Sequence, residues 1–301
     1  ATNELDTVPT VETITLGDAA TNVTTVTALV TGTNTLTVSA SALTGSNTLT
    51  WTGSAETDGG KFSITGSGQN DTIIGGSGAD TIDGAAGSDS ITGAAGNDSI
   101  TAGSGNDTIF GGSGNNTIDG ADGDDSITAG TANDYIIGNT GTDIIAFYEN
   151  LTSADTIAGG SGTDTLTFTD AGGATNELNN VTTVETITLG NAATAVTTVD
   201  GLVASGATLT VDGSALSGNA LTFDGALEAD GKFSITGGDA ADAITGGAGN
   251  DSISGGAQND TITGNAGADS ITACTGDDRL LGGNDGDTFV LSTNLTAADT
   301  V

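Results

Sequence analysis

From Gly66 to Ala146 the chain repeats itself every nine residues, nine times without a break, and from Gly237 to Val290 it does so six more times. One copy reads Gly75-Gly-Ser-Gly-Ala-Asp-Thr-Ile-Asp83, and the next reads Gly84-Ala-Ala-Gly-Ser-Asp-Ser-Ile-Thr92. Positions one, two and four are mostly Gly, Ala, Ser or Asn. Position eight is Ile in thirteen of the fifteen copies, with Leu280 and Phe289 in the other two. One large apolar residue in nine cannot build a globular core, so the core must be a line. Small residues in the first four positions let the backbone turn tightly and take positive φ. The triplet around position eight then has room for one short β-strand, its Ile pointing inward and its neighbours outward. Two nonapeptides make one flat coil, and stacked coils form parallel sheets with the isoleucines as a narrow ladder. The expected fold is all-β: a right-handed parallel β-roll or β-solenoid, one elongated body with 18-residue coils in the arrays.

Position six carries the chemistry. It is Asp71, Asp80, Asp89, Asp98, Asp107, Asn116, Asp125, Asp134 and Asp143 in the first array, then Asp242, Asp251, Asp260, Asp269, Asp278 and Asp287 in the second. A single Asp in a Gly-rich turn would be an ordinary solvated turn residue, but fifteen phased copies ask for another reason. Coiling places each position six over the one two repeats on, so the expected pairs are 71/89, 80/98, 89/107, 107/125, 125/143, 242/260, 251/269, 260/278 and 269/287. Asn116 weakens two more, 98/116 and 116/134, because its amide brings one oxygen and no charge. Two carboxylates with backbone carbonyls from the Gly-rich turn make an all-oxygen cage, which suits Ca²⁺ with its six to eight hard ligands. The candidate carbonyl donors are Gly76, Gly78, Gly87, Gly96, Gly105, Gly114, Gly247, Gly249 and Gly267. Asp155 and Asp164, in the linker after the first array, extend the set. Roughly ten Ca²⁺ sites are expected in all, on the premise that one ion serves each carboxylate pair.

Charge sharpens the requirement. The chain has 39 acidic residues against Lys61, Lys232 and Arg279, a net charge of −36, while Ile, Leu, Val and Phe together make up about one residue in five. That balance borders on the composition of disordered chains, and a cation that neutralises the acids removes the conflict. With no basic patch, nucleic acid is excluded as a partner, as is docking on an anionic membrane face. No apolar run approaches a membrane span, so direct membrane insertion is not expected. There is no His and no Met, and Cys274 is the only cysteine, so no intramolecular disulfide forms. Ser and Thr hydroxyls have no activating base within such a composition, and no catalytic site is expected.

The nonapeptides resemble the RTX, or haemolysin-type, calcium-binding repeats, whose consensus is Gly-Gly-x-Gly-x-Asp-x-(apolar)-x. The likeness covers residues 66–167 and 237–290. It implies a calcium-filled parallel β-roll, export by type I secretion and folding only outside the cell. Ala or Ser at several Gly positions, Cys274 at a position two, and Asn116 depart from the consensus.

A larger repeat encloses the small one. Val11-Glu-Thr-Ile-Thr-Leu-Gly17 recurs as Val184-Glu-Thr-Ile-Thr-Leu-Gly190, and Lys61-Phe-Ser-Ile-Thr-Gly66 as Lys232-Phe-Ser-Ile-Thr-Gly237. The expected organisation is a Thr/Val-rich module at 1–65, an array at 66–146 and a connector with degenerate repeats at 147–173. A second module at 174–236, a second array at 237–290 and the start of another connector at 291–301 follow. The modules alternate with period two, as in Thr35-Leu-Thr-Val38, and should form larger, metal-poor coils of the same solenoid. Val23–Thr31 is expected as a loop or short helix. Trp51 and its counterpart Phe223 are expected as packed aromatics, and Lys61 and Lys232 as solvated residues that precede a strand.

Tandem units of low chemical diversity suit a slice of a longer, secreted, self-assembling bacterial surface protein: a surface layer, matrix or filament. Its partners would be calcium and further copies of itself, or adjacent repeats, end to end or in a lattice. The alternatives are the extender of a large adhesin and the secretion and folding module of an exported enzyme. All three place the chain outside the cell.

Overall fold

A computed structural model describes residues 2–5, 12–19, 21–25, 30, 32–147, 151–169, 175–291 and 300. Among them every regular element is a β-strand except one 3-10 turn at Leu178–Asn180. No helix among them is long and apolar enough to cross a membrane. The chain forms two units, Ala1–Ala146 with Asp155–Asp164, and Phe147–Ala154 with Thr165–Val301. Each is a stack of parallel coils.

In the first unit alternate nonapeptides go to opposite walls. Ile73 pairs with Ile91, Ile91 with Ile109, Ile109 with Ile127 and Ile127 with Ile145 on one wall. On the other, Ile64, Ile82, Ile100, Ile118 and Ile136 stack in turn and end on Ile157. Within the array each step of the register spans two nonapeptides, as the repeat requires. Every one of these isoleucines is at most 1% exposed. Three positions of each nonapeptide face inward, one, six and eight, so the core is an Ile ladder flanked by Asp and by Gly or Ala. The second unit repeats the plan, with Ile235, Ile253, Ile271 and Phe289 stacked on one wall and Ile244, Ile262 and Leu280 on the other.

The strands depart from expectation in two ways here. The strand is not confined to the triplet around position eight: in mid-array it runs six residues, as in Ser99–Ser104 and Thr108–Ser113. Positions two and three of the next nonapeptide also pair across coils, Gly103 with Ala121 and Ser104 with Asp122. Lys61 and Lys232 do not precede a strand but begin one, half-buried, in Lys61–Thr65 and Lys232–Thr236.

The Thr/Val-rich segments form wider coils. Val23 pairs with Trp51, Ile14 with Val38 and Val38 with Ile64, each step longer than two nonapeptides. Ile187 and Val211, then Val211 and Ile235, repeat this wider spacing. Wider coils enclose larger side chains. Trp51 meets Phe62 edge-on at 5.3 Å, and Phe223 meets Phe233 at 5.1 Å. Trp51 and Phe223 are at most 1% exposed, so both are core residues. Of Val23–Thr31, the first residues are neither loop nor helix but the end of the strand Thr21–Thr25. Val30 is buried, and 26–29 and 31 lie outside the described residues.

The inward ladder should carry the stability of an array coil. Ile109→Ala, at a site with no exposure, is expected to cost about 2–5 kcal/mol. Its neighbour Phe110 is 44% exposed, and Phe110→Ala should cost no more than about 0.5 kcal/mol. Denaturant midpoints of the two variants in saturating calcium check this; equal losses would contradict the inward assignment.

Candidate metal centre

The position-six side chains, acidic though they are, lie in the interior: from Asp71 to Asp143 and on to Asp155 and Asp164 none is more than 2% exposed. Each Oδ1 accepts the backbone N–H of the position-six residue one coil earlier. Asp71 N donates to Asp89, Asp89 to Asp107, Asp107 to Asp125, Asp125 to Asp143 and Asp143 to Asp164, all at 2.6–2.9 Å. On the other wall Asp80 N donates to Asp98, Asp98 to Asn116, Asn116 to Asp134 and Asp134 to Asp155, at 2.7–3.1 Å. Asp242, Asp260 and Asp278 form a third ladder, and Asp251, Asp269 and Asp287 a fourth. Asp287, in the last described coil, is half-buried.

The ladder brings the expected 18-residue pairs together and adds two at a spacing of 21, 134/155 and 143/164. Asp155 and Asp164 thus continue both ladders past the array across a three-residue insertion. Asn116 keeps its rung through Oδ1 at 3.1 Å, while its Nδ2 is buried with no partner.

Position one is small because the carboxylate of its own repeat occupies the space of a side chain. A Cβ on Gly66, Gly75, Gly84, Gly93 or Gly120 would stand 2.5–2.6 Å from Oδ2 of the Asp five residues on. Position four is Gly for another reason. Gly105 has φ 127°, and a Cβ there would collide with the carbonyl oxygen of Gly87 one coil earlier. The same column sets the carbonyl of Gly78 against Gly96, that of Gly96 against Gly114, and that of Gly249 against Gly267. Gly76 and Gly247, at position two, also give their N–H to their own Asp, Asp80 and Asp251, each at 2.7 Å.

Sequence reasoning missed position five. Asn70 Oδ1 accepts Ser88 N at 2.9 Å, Asn97 accepts Asn115 N at 2.9 Å and Asn106 accepts Asp124 N at 3.1 Å. These bonds run opposite to the position-six ladder, from the later coil to the earlier side chain. The recurrent Asn-Asp pair was the available signal. Also missed were Glu56 and Glu228, both without exposure. Glu56 Oε2 accepts Val30 N at 3.0 Å, and Glu228 accepts Val203 N at 3.1 Å and Gly231 N at 3.2 Å.

The ladders leave one oxygen unused. Oδ2 of Asp89, Asp98, Asp107, Asp125, Asp134, Asp143 and Asp269 is buried and accepts no hydrogen bond. A buried acceptor without a partner is unfavourable by roughly 1–3 kcal/mol, and more when charged. Burial also lifts the carboxyls of Asp89, Asp98, Asp125 and Asp260 from 3.8 to about 7. Those of Asp80, Asp134, Asp143 and Asp251 rise to about 6. Desolvation is the largest cause in each, like charge nearby adds to it, and the rung N–H opposes it. Among the described residues no three acidic, His or Cys side chains gather at one point, so a cation here would draw on a carboxylate pair and backbone carbonyls. Partnerless anionic oxygens, carbonyl columns and no cationic side chain in the ladders together fit a hard divalent ion.

A family model of the RTX calcium-binding nonapeptide repeat (4 copies) matches residues 63–91, 83–118, 119–147, 152–168, 236–271 and 255–289. These spans cover just over half of the chain. No curated protein matches it.

A carboxyl whose pKa is raised by folding binds its proton more tightly in the fold than in the unfolded chain, so protonation favours the fold. That contribution is complete below pH about 4 and lost as pH rises through about 6 to 7. Metal-stripped protein should therefore melt at progressively lower temperature from pH 5 to pH 8, and saturating calcium should flatten the trend. A melting temperature that rises with pH without metal would contradict it.

Proposed function

The chain belongs to the RTX calcium-binding nonapeptide-repeat family, and from that premise we propose that it is a calcium-stabilised structural segment of a secreted, self-assembling cell-surface protein. One observation carries the calcium part: a buried carboxylate oxygen without a donor recurs through the interior of the arrays. The residues that would hold the ions are the position-six acids, Asp71 to Asp143 with Asp155 and Asp164, and Asp242 to Asp287. Carbonyls of the position-four glycines would complete each site, on roughly ten sites in all by the ligand demand of Ca²⁺.

Bound Ca²⁺ supplies charge neutralisation to carboxylates that burial otherwise penalises. The chain's own residues do the rest. Oδ1 fixes the coil spacing through its rung, Gly at positions one and four leaves room for the carboxylate and the carbonyl, and Ile at eight excludes water beside them. Asn116 contributes a rung but no charge, so the places on either side of it are weaker.

The stacking of near-identical coils supports a spacer role. Two units of one plan, each built from interchangeable coils, support use as a repeated element outside the cell. Extracellular calcium near ~10⁻³ M matches weak extracellular sites, whereas cytosolic levels would leave the arrays unliganded. Array coils that stay open at cytosolic calcium and close outside the cell are consistent with type I secretion.

Chelation should abolish most of the β signal of the arrays in circular dichroism, and calcium should restore it cooperatively, with Mg²⁺ a poor substitute. Asp107→Ala takes a carboxylate from two pairs and should cost roughly 1–3 kcal/mol of calcium-bound stability, and Asn116→Ala less. The same spectrum with and without chelator would sink the calcium reading; a strictly monomeric native protein in calcium would sink self-assembly.

A further inference from the structure

The carboxylates at the start of each array differ from those inside it. Asp71 Oδ1 accepts Leu49 N at 2.6 Å and its Oδ2 accepts Ser67 N at 2.5 Å. Asp80 accepts Phe62 N at 2.7 Å and Gly76 N at 2.7 Å. In the second unit Asp242 accepts Leu221 N and Gly238 N, and Asp251 accepts Phe233 N and Gly247 N, all at 2.7–2.8 Å. Each of these four carboxylates has both oxygens bonded to backbone N–H. Of the position-six acids from Asp89 to Asp143 the second oxygen has no donor, and in the second array neither has that of Asp269. The first coil of each array thus satisfies both oxygens of its acids with the chain's own N–H groups.

The segment that supplies those N–H groups also has its own core. Between Leu36 and Ile64 eight apolar side chains are at most 5% exposed: Leu36, Val38, Ala40, Leu43, Leu49, Trp51, Phe62 and Ile64. An 18-residue array coil buries two isoleucines. Glu56 and Glu228 tie the turns at Val30 and Val203 to the same body from inside. The donors to the first acids, Leu49 and Phe62 or Leu221 and Phe233, are themselves buried core residues. Position-four carbonyl stacking also begins in the module, since the carbonyl of Gly60 meets Gly78 as that of Gly78 meets Gly96. Everything a new coil needs is therefore displayed on its surface: rung donors, a carbonyl column and an apolar pair.

We propose that each Thr/Val-rich module, together with the first coil of the array behind it, keeps its fold without calcium and is the template on which the calcium-dependent coils assemble. This rests on the calcium reading of the arrays given above. Folding then has a fixed start and direction in both units. Nucleation is supplied by apolar burial, and calcium drives propagation alone.

The whole chain tests this through amide hydrogen exchange in chelator and in calcium, with the emission of Trp51, the only tryptophan, as a second reporter. In chelator, amides of Thr35–Ser39, Leu49–Thr52 and Lys61–Thr65 should stay protected, with Thr208–Asp212, Leu221–Asp224 and Lys232–Thr236 in the second unit. Those of Ser99–Ser104, Thr108–Ser113 and Ser126–Thr131 should exchange completely and regain protection in calcium. Trp51 emission should keep the short wavelength of a buried indole throughout. If module amides exchange as fast as array amides in chelator and Trp51 emission shifts red with them, the template is overturned and calcium binding stands. If array amides remain protected in chelator, the calcium reading falls and the template falls with it.

Discussion

Every coil of the arrays depends on one hydrogen bond, from the N–H of a position-six residue to Oδ1 of the position-six residue a coil later. A parallel strand pair fixes register only through its backbone, and a slip of one residue turns every side chain to the other face. The rung adds a side-chain lock at the turn, where a wrong register would leave a carboxylate facing nothing. Its consequences spread outward. The acid must be inside to reach the N–H, so position one must be small. Because the acid is inside, its second oxygen is desolvated, and the interior of the protein is lined with charge that no Lys or Arg offsets.

How much of this can be read from the residues follows from what repeats. The nine-residue period, the Ile at eight and the Asp at six specify coil size, wall assignment and the pairing of carboxylates, and the observed register agrees. Asp155 and Asp164 were legible as site candidates, but not their rungs at a spacing of 21, because the nine-residue phase breaks after Ala146 with no mark in the sequence of how the ladders resume. The bonds at Asn70, Asn97 and Asn106 were not legible either: Asn before Asp looks like ordinary turn composition, and only the fold shows that its bond runs backwards. The six-residue strands were missed for a similar reason. Gly and Ala at positions one to three read as turn formers, yet Gly103 and Ser104 pair across coils once neighbours lie on both sides.

The Thr/Val-rich segments show what the ladder does by its absence. Without position-six acids the spacing between stacked residues is free to vary: Thr2 stacks on Asn22, while Val23 stacks on Trp51 across a wider coil. Stability there must come from side-chain volume, hence Trp51, Phe62, Phe223 and Phe233 where the arrays have Ile alone. Among the described residues, buried Glu56 and Glu228 are an ionisable feature that both modules share in their interior, and each spends its oxygens on backbone N–H groups. The exits are equally regular: Thr156 stacks on Tyr135 and Thr300 on Arg279, with the same offset in both units.

Why the arrays use buried acids with a mobile ion, and not acid–base pairs, follows from width. The cavity between the walls is filled by one Ile per strand, and a Lys or Arg directed inward would need its whole stem accommodated there, one for every carboxylate, at a large cost in side-chain entropy. The N–H groups of positions five and six are already taken, one by each ladder, in opposite directions. What the turn still offers is Oδ2 and carbonyl oxygen, acceptors only. Such a lining can be satisfied only by something that accepts oxygen on every side and occupies little volume, and a proton or a small hard cation meets that description. A proton satisfies one oxygen and is abundant only in acid; a divalent ion satisfies several and neutralises two carboxylates at once. The choice of ligand set therefore ties the fold to the ionic composition of its surroundings, which no rearrangement of the chain's three basic residues could do.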